Sequence, residues 1–217
     1  MDNDDLLGAL LRIRKAVKKW RPPALSGISR KRNPFKILVG CILSLRTRDE
    51  VTEAASEGLY WLADTPRKLL AQSTASIEKA IYPVAFYRNK ARTLKELCHT
   101  LIQQHGGKVP DTLEELLKLK GVGRKTANLT MILGFKGMGI CVDTHVHRIA
   151  NRWGYVKTQT PDETEMALRK KLPKKYWREI NALLVPFGQN LCKPVSPHCS
   201  ECPISEFCKK SGVERYR

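Results

Sequence analysis

No apolar run in the 217 residues approaches the roughly eighteen that a membrane-spanning helix needs, so a membrane protein of that kind is not expected. Segments that alternate apolar and polar residues are few, and no turn dipeptide sits between two β-rich runs, which argues against a sheet protein. Internal repeats and low-complexity tracts are absent, so neither a solenoid nor a disordered tail is indicated. Acidic residues are scarce: 21 Asp and Glu stand against 39 Lys and Arg, a net charge of +18. Such an excess over a folded chain points to a polyanionic partner, nucleic acid first and an anionic membrane surface second. The opening Met1-Asp2-Asn3-Asp4-Asp5 is acidic, unlike a secretory leader or transit peptide. A soluble, cytoplasmic, nucleoid-associated protein is therefore expected.

What is present is helical punctuation. Leu6, Leu10, Ile13, Val17 and Trp20 form one apolar stripe, and Asn33-Pro34 opens a helix through "FKILVGCILSL". Asp49 reads as the cap of "EVTEAASEGLYWLA", and Thr65-Pro66 opens a short helix after it. Thr112 with Glu115, and Thr160 with Glu163, read as capping boxes. Gly106-Gly107 closes a long helix that begins near Phe86. The fold class is all-α, in two helical lobes. The loose segments 21–33 and 134–139 are the candidate boundaries between the lobes.

"LKGVGRKTANL" (119–129) then reads as helix, Gly121-Val122-Gly123 turn, helix. Glycines at a helix start let an anion approach backbone N–H groups, which suits a phosphate. Lys125 stands in the first turn, where the helix dipole and neighbouring cations penalise a protonated amine. An uncharged lysine is a nucleophile of the Schiff-base type. A phosphate-binding lysine would suit the same place, and the local sequence does not separate the two. Asp143, in "CVDTHVHRIANRWG", has N-cap character. A carboxylate held at one helix start is able to serve a lysine held at another, by stabilising positive charge or moving a proton. His145 and His147, two apart on a helix, do not share a face and are not read as metal ligands.

Seven cysteines, an odd number, argue against a disulfide framework. Cys41, Cys98 and Cys141 read as small core residues. The other four, Cys192-x6-Cys199-x2-Cys202-x5-Cys208, mark a metal centre. Zinc would be satisfied by four thiolates. The compact, unequal spacing with a single C-x2-C pair leans toward a [4Fe–4S] cluster.

The hairpin "LKGVGRKTAN", the segment "VDTHVHRI" and the cysteine spacing, in this order, resemble the endonuclease III group of helix-hairpin-helix DNA glycosylases from about Asn33 to Cys208. The resemblance implies a six-helix barrel lobe, residues 25–137, containing the hairpin, and a second lobe built from residues 1–24 and 138–217 and carrying the cluster loop 192–208. It places Lys125 as the Schiff-base lysine and Asp143 as the catalytic aspartate, with Cys192, Cys199, Cys202 and Cys208 on a [4Fe–4S] cluster. It implies a monomer acting on double-stranded DNA with a damaged base or abasic site, excising oxidised pyrimidines and cutting the strand by β-elimination. DNA contacts would come from Gly121, Val122, Gly123, Ser44, Arg46, Phe86, His145 and Lys193, with Lys209 and Lys210 nearby. The sequence departs from the family in three places. Lys120 replaces a proline, Arg46 stands where a gap-filling glutamine is common, and Phe86 stands where a leucine wedge is usual. A mismatch-specific glycosylase, a non-catalytic helix-hairpin-helix module and a redox carrier are the competing readings.

Overall fold

Local capping chemistry accounts for most helix starts in the computed structural model, which describes residues 2–23 and 33–217. Eleven α-helices occur among the described residues: α1 (Asn3–Val17), α2 (Pro34–Ser44), α3 (Asp49–Leu62), α4 (Pro66–Ala71), α5 (Thr74–Ile81), α6 (Tyr87–His105), α7 (Leu113–Lys118), α8 (Arg124–Phe135), α9 (Thr144–Arg152), α10 (Pro161–Lys171) and α11 (Ile180–Asn190). Two short 3₁₀ turns, Lys174–Tyr176 and Ser205–Phe207, complete the regular structure, and no strand is found among these residues. The all-α expectation holds. Asn33, Thr65, Thr112 and Thr160 each accept a backbone N–H at a helix start, satisfying one amide that the helix cannot. Asp2 does so at α1 in a full capping box with Asp5.

One expected cap is corrected. Asp49 is the first residue of α3, not its cap; Arg48 holds that place and makes no side-chain cap bond. Asp49 and Glu50 instead put acid in the first turn, where the positive end of the helix favours it. The long helix ends as read, with Gly106 left-handed at φ +60°. Much of the segment 21–33, with Arg30, Lys31 and Arg32, falls on 24–32, outside the described residues.

The chain divides into two compact units, Met1–Pro23 with Ile140–Arg217, and Ala24–Gly139. In the second, α2 is buried nearly all round, from Phe35 through Leu43, which its almost unbroken apolar sequence requires. Ile37 and Cys41 pack on Leu129 and Leu133 of α8, and this contact fixes the helix that carries Lys125. Leu59, Leu94, Leu97 and Leu101 fill the same core from α3 and α6. In the terminal unit, Leu6, Leu10 and Ile13 of α1 join Val146, Ile149, Trp153, Leu184 and Phe187 in one core, with α11 packed against both α1 and α9. Cys41, Cys98 and Cys141 are buried, as small core residues should be. No helix among the described residues is long and apolar enough to cross a membrane.

Candidate functional site

The hairpin is built by a backbone bond and a buried side chain. Val122 donates its N–H to Leu119 O at 3.1 Å and tucks its side chain into the core at 7% exposure. Gly121 is thereby turned to φ +79°, and a Cβ on it would lie 2.4 Å from Thr93 Cγ2. Glycine is required there by both conformation and space. Gly123 differs. Its φ is −93°, and a Cβ would meet nothing within 4 Å. The chain itself makes no demand for glycine at 123, although this residue caps α8 and offers no side-chain oxygen to its first turn.

Lys125 is the second residue of α8 and is half-buried. Burial pushes the Cys41 thiol up to about 12, while the charge of Lys125 acts on the same thiol in the opposite direction. Lys120 is ion-paired with Glu96 of α6, both groups being exposed. The cation that stands where the family has a proline is thus engaged by an acid from α6.

Ser44, at the end of α2, donates its hydroxyl to Cys41 O at 2.8 Å, so its proton is turned into its own helix. Arg46 and Phe86 share a geometry that their separation in sequence hides. Both are left-handed, at φ 54° and 58°, both are exposed, and the Arg46 guanidinium stands 5.8 Å from the Phe86 ring centroid.

In the terminal unit, Asp143 caps α9 as expected, accepting the N–H groups of His145 and Val146 at 2.9 Å each, both through Oδ1. Arg148 lies near His145, with 3.1 Å between Nη2 and Nδ1. His147 Nδ1 is instead 2.7 Å from Thr164 Oγ1 and belongs to a network with Asn151 and Thr158. The two histidines thus go separate ways.

Cys192, Cys199, Cys202 and Cys208 line one cavity with Arg152, Trp153, His198 and Ile204. Burial is the main cause that raises the thiols of Cys199 and Cys208 and pushes Cys202 up to about 11, and the other thiols of the group add to it. Four thiols lining one largely apolar cavity suit a cationic metal group that would hold them as thiolates. Among the described residues, no three His, Cys, Asp or Glu side chains converge on a point where one metal ion would sit.

Sequence reasoning missed the arginines that fasten this loop. Arg148 donates to the carbonyls of Gly188 and Cys192. Arg152 donates to those of Lys193 and Pro194, and to Cys192 Sγ at 3.4 Å. Their spacing of four after an N-cap was the available signal, since it puts both on one face of α9.

The family model for HhH-GPD superfamily base excision DNA repair proteins matches residues 39–174, and that for the iron–sulfur binding domain of endonuclease III matches residues 192–208. Endonuclease III of Thermotoga maritima is 49% identical over 177 residues, 82% of this chain and 83% of that protein. A solved structure of a trapped endonuclease III–DNA covalent intermediate superposes with a TM-score of 0.84 at 31% identity, covering 97% of each chain. The structure of a thermostable thymine-DNA glycosylase gives a TM-score of 0.83 at 25% identity, covering 96% of this chain and 97% of the other. Fold and hairpin together thus define a helix-hairpin-helix repair protein. The chain belongs to the HhH-GPD superfamily of base excision DNA repair proteins and, within it, to the endonuclease III group of DNA glycosylases and AP lyases. Its last matched segment is an iron–sulfur binding domain.

Proposed function

We propose that the protein excises oxidised pyrimidines from double-stranded DNA and cleaves the resulting abasic site by β-elimination, with Lys125 as nucleophile and Asp143 as its acid–base partner. The observation that carries this reading is Lys125 itself, half-buried in the first turn of α8, two residues after a glycine that the chain does not need for its own packing. The unprotonated Nζ forms a bond to the sugar C1′ as the bond to the base breaks, and the base leaves with the electron pair. Loss of a proton from nitrogen and opening of the sugar ring give an imine. The imine acidifies C2′; removal of that proton expels the 3′ phosphate and cuts the strand. Asp143 uses Oδ1 for its helix cap, so the carboxylate is held in a fixed orientation for proton transfers. A mismatch-specific glycosylase is less well supported, because members of that kind generally lack a lysine at this position.

Gly121, Val122 and Gly123, with Arg124 following, form the phosphate-binding hairpin, and His145, Lys193, Lys209 and Lys210 are further phosphate contacts from the terminal unit. Cys192, Cys199, Cys202 and Cys208 hold a [4Fe–4S] cluster, which when bound staples the loop 192–208 into one rigid piece. Four cysteines lining one cavity within a short loop suit an iron–sulfur cluster. The protein acts as a monomer.

The test is borohydride trapping across a panel of duplexes bearing oxidised pyrimidines, mismatches or an abasic site. Covalent adducts are expected with the oxidised pyrimidines and the abasic site. Absence of any adduct and of any released base, with intact duplex binding, would leave only a DNA-binding module.

Two further results are expected. Affinity for duplex should fall by about a hundredfold on a fourfold rise in salt, on the basis of roughly four neutralised phosphates; fluorescence anisotropy checks this, and a flat titration contradicts it. The two hairpin glycines should separate. Gly121→Ala should cost about 1–3 kcal/mol in urea unfolding, because a methyl group meets Thr93 in a left-handed backbone. Gly123→Ala should stay within about 1 kcal/mol in stability yet weaken duplex binding, its methyl group standing where a phosphate must approach.

A further inference from the structure

We propose that Lys90 is a positioning residue, whose buried ammonium holds Arg46 and Phe86 together as one preformed element that enters the duplex when the damaged nucleotide is turned out. The inference rests on the proposed reading of the protein as a glycosylase that extrudes its target.

Lys90 lies one turn into α6 and is only 7% exposed. Its ammonium donates to Leu43 O at 2.8 Å, Leu45 O at 2.6 Å and Thr47 Oγ1 at 3.2 Å. An ammonium has three protons, and each has a partner. None of the partners is a carboxylate, so among the described residues the buried charge is met only by carbonyl and hydroxyl dipoles, and burying it costs desolvation free energy. Burial accordingly pushes this ammonium down to about 8. A lysine kept in such a place has a use other than stability.

Its partners indicate the use. Leu43 and Leu45 end α2, where the carbonyls lack helical partners and the negative end of the helix favours a cation. Leu45 and Thr47 flank Arg46, so the ammonium fixes the backbone on both sides of it. Thr47 Oγ1 also accepts the N–H of Ala85 at 3.2 Å, and the N–H of Lys90 donates to Phe86 O at 3.0 Å. One lysine and one threonine therefore tie the base of the Arg46 turn to the base of the Phe86 turn. Above that tie, two left-handed, non-glycine residues present a guanidinium stacked near an exposed aromatic ring. Nothing in the core calls for Phe86, which is 59% exposed. A ring and a guanidinium held in this way are ready to replace an extruded nucleotide without being ordered first.

The test is a double-mutant cycle in the full-length, cluster-loaded protein between Lys90→Met and Phe86→Ala. It is read by the fluorescence of a 2-aminopurine beside the lesion and by single-turnover excision. Lys90→Met is expected to remove most of the unstacking signal and to slow base excision by about tenfold or more. In the Phe86→Ala background it should add less than about twofold, because the element it positions is already gone. Wild-type unstacking by Lys90→Met, or losses that multiply in the double variant, overturn the proposal. If Lys90→Met does not fold, Thr47→Val removes the hydroxyl that joins the two turns and leaves the lysine its two carbonyls. It should reproduce the lost unstacking signal, and wild-type behaviour would overturn the proposal equally. Failure of the glycosylase reading is distinct, since the wild-type protein itself would then trap no adduct and unstack no base.

Discussion

Lys125→Gln is expected to yield no borohydride-trapped adduct with any duplex and to lower the single-turnover rate of base excision by at least about a thousandfold. Glutamine keeps the length and polarity of the side chain but has no lone pair able to form an imine. Duplex affinity should change by less than about tenfold, because the hairpin amides and Arg124 remain. Stability should be unchanged or slightly higher, since a cation has been removed from the positive end of α8. The combination is diagnostic: a lysine that only held phosphate would lose affinity and leave the adduct intact. Adduct formation by Lys125→Gln at the wild-type rate would remove the foundation of the proposed mechanism.

Asp143→Asn is expected to lower excision and β-elimination by about a hundredfold to ten-thousandfold while the protein stays folded. The reasoning turns on the cap. Asp143 Oδ1 accepts two backbone amides at the start of α9, and asparagine caps a helix about as well as aspartate. Urea unfolding should therefore move by no more than about 1 kcal/mol, whereas the negative charge and the proton acceptor are lost together. Asp143→Ala should cost about 1 kcal/mol more in stability than Asp143→Asn, and have a similar effect on rate. If Asp143→Asn turned over like the wild type, the residue would be a helix cap and nothing further.

The parts legible in the sequence were those that near neighbours determine. Asn33, Thr65, Thr112, Thr160 and Asp143 cap helices because a short side-chain oxygen reaches an amide two or three residues on, which needs no knowledge of the rest of the fold. The hairpin and the cysteine spacing were legible for the same reason, and they sufficed for the family. Asp49 was misjudged by one position: an acid suits both a cap and a first turn, and Arg48 took the cap without any side-chain bond. Gly121 and Gly123 looked equivalent as a Gly-x-Gly pair. Only the approach of Thr93 from α6 showed that the first is needed for packing and the second is not. Lys120 ion-pairs with Glu96 on another helix, a partner the local sequence does not reveal, whereas Ser44 donates to Cys41 O within its own helix.

By itself, the order of residues determined an all-helical chain, a Gly-Val-Gly hairpin, a capped carboxylate and a four-cysteine loop, because each follows from contacts a turn or so apart. Tertiary structure alone decided that Lys90 would be buried against the end of α2, and that Arg46 would stand beside Phe86. It also decided that Arg148 and Arg152 would fasten the cysteine loop. These contacts join positions that neither periodicity nor capping relates, and they arise when apolar cores bring distant turns together and leave their carbonyls in want of donors.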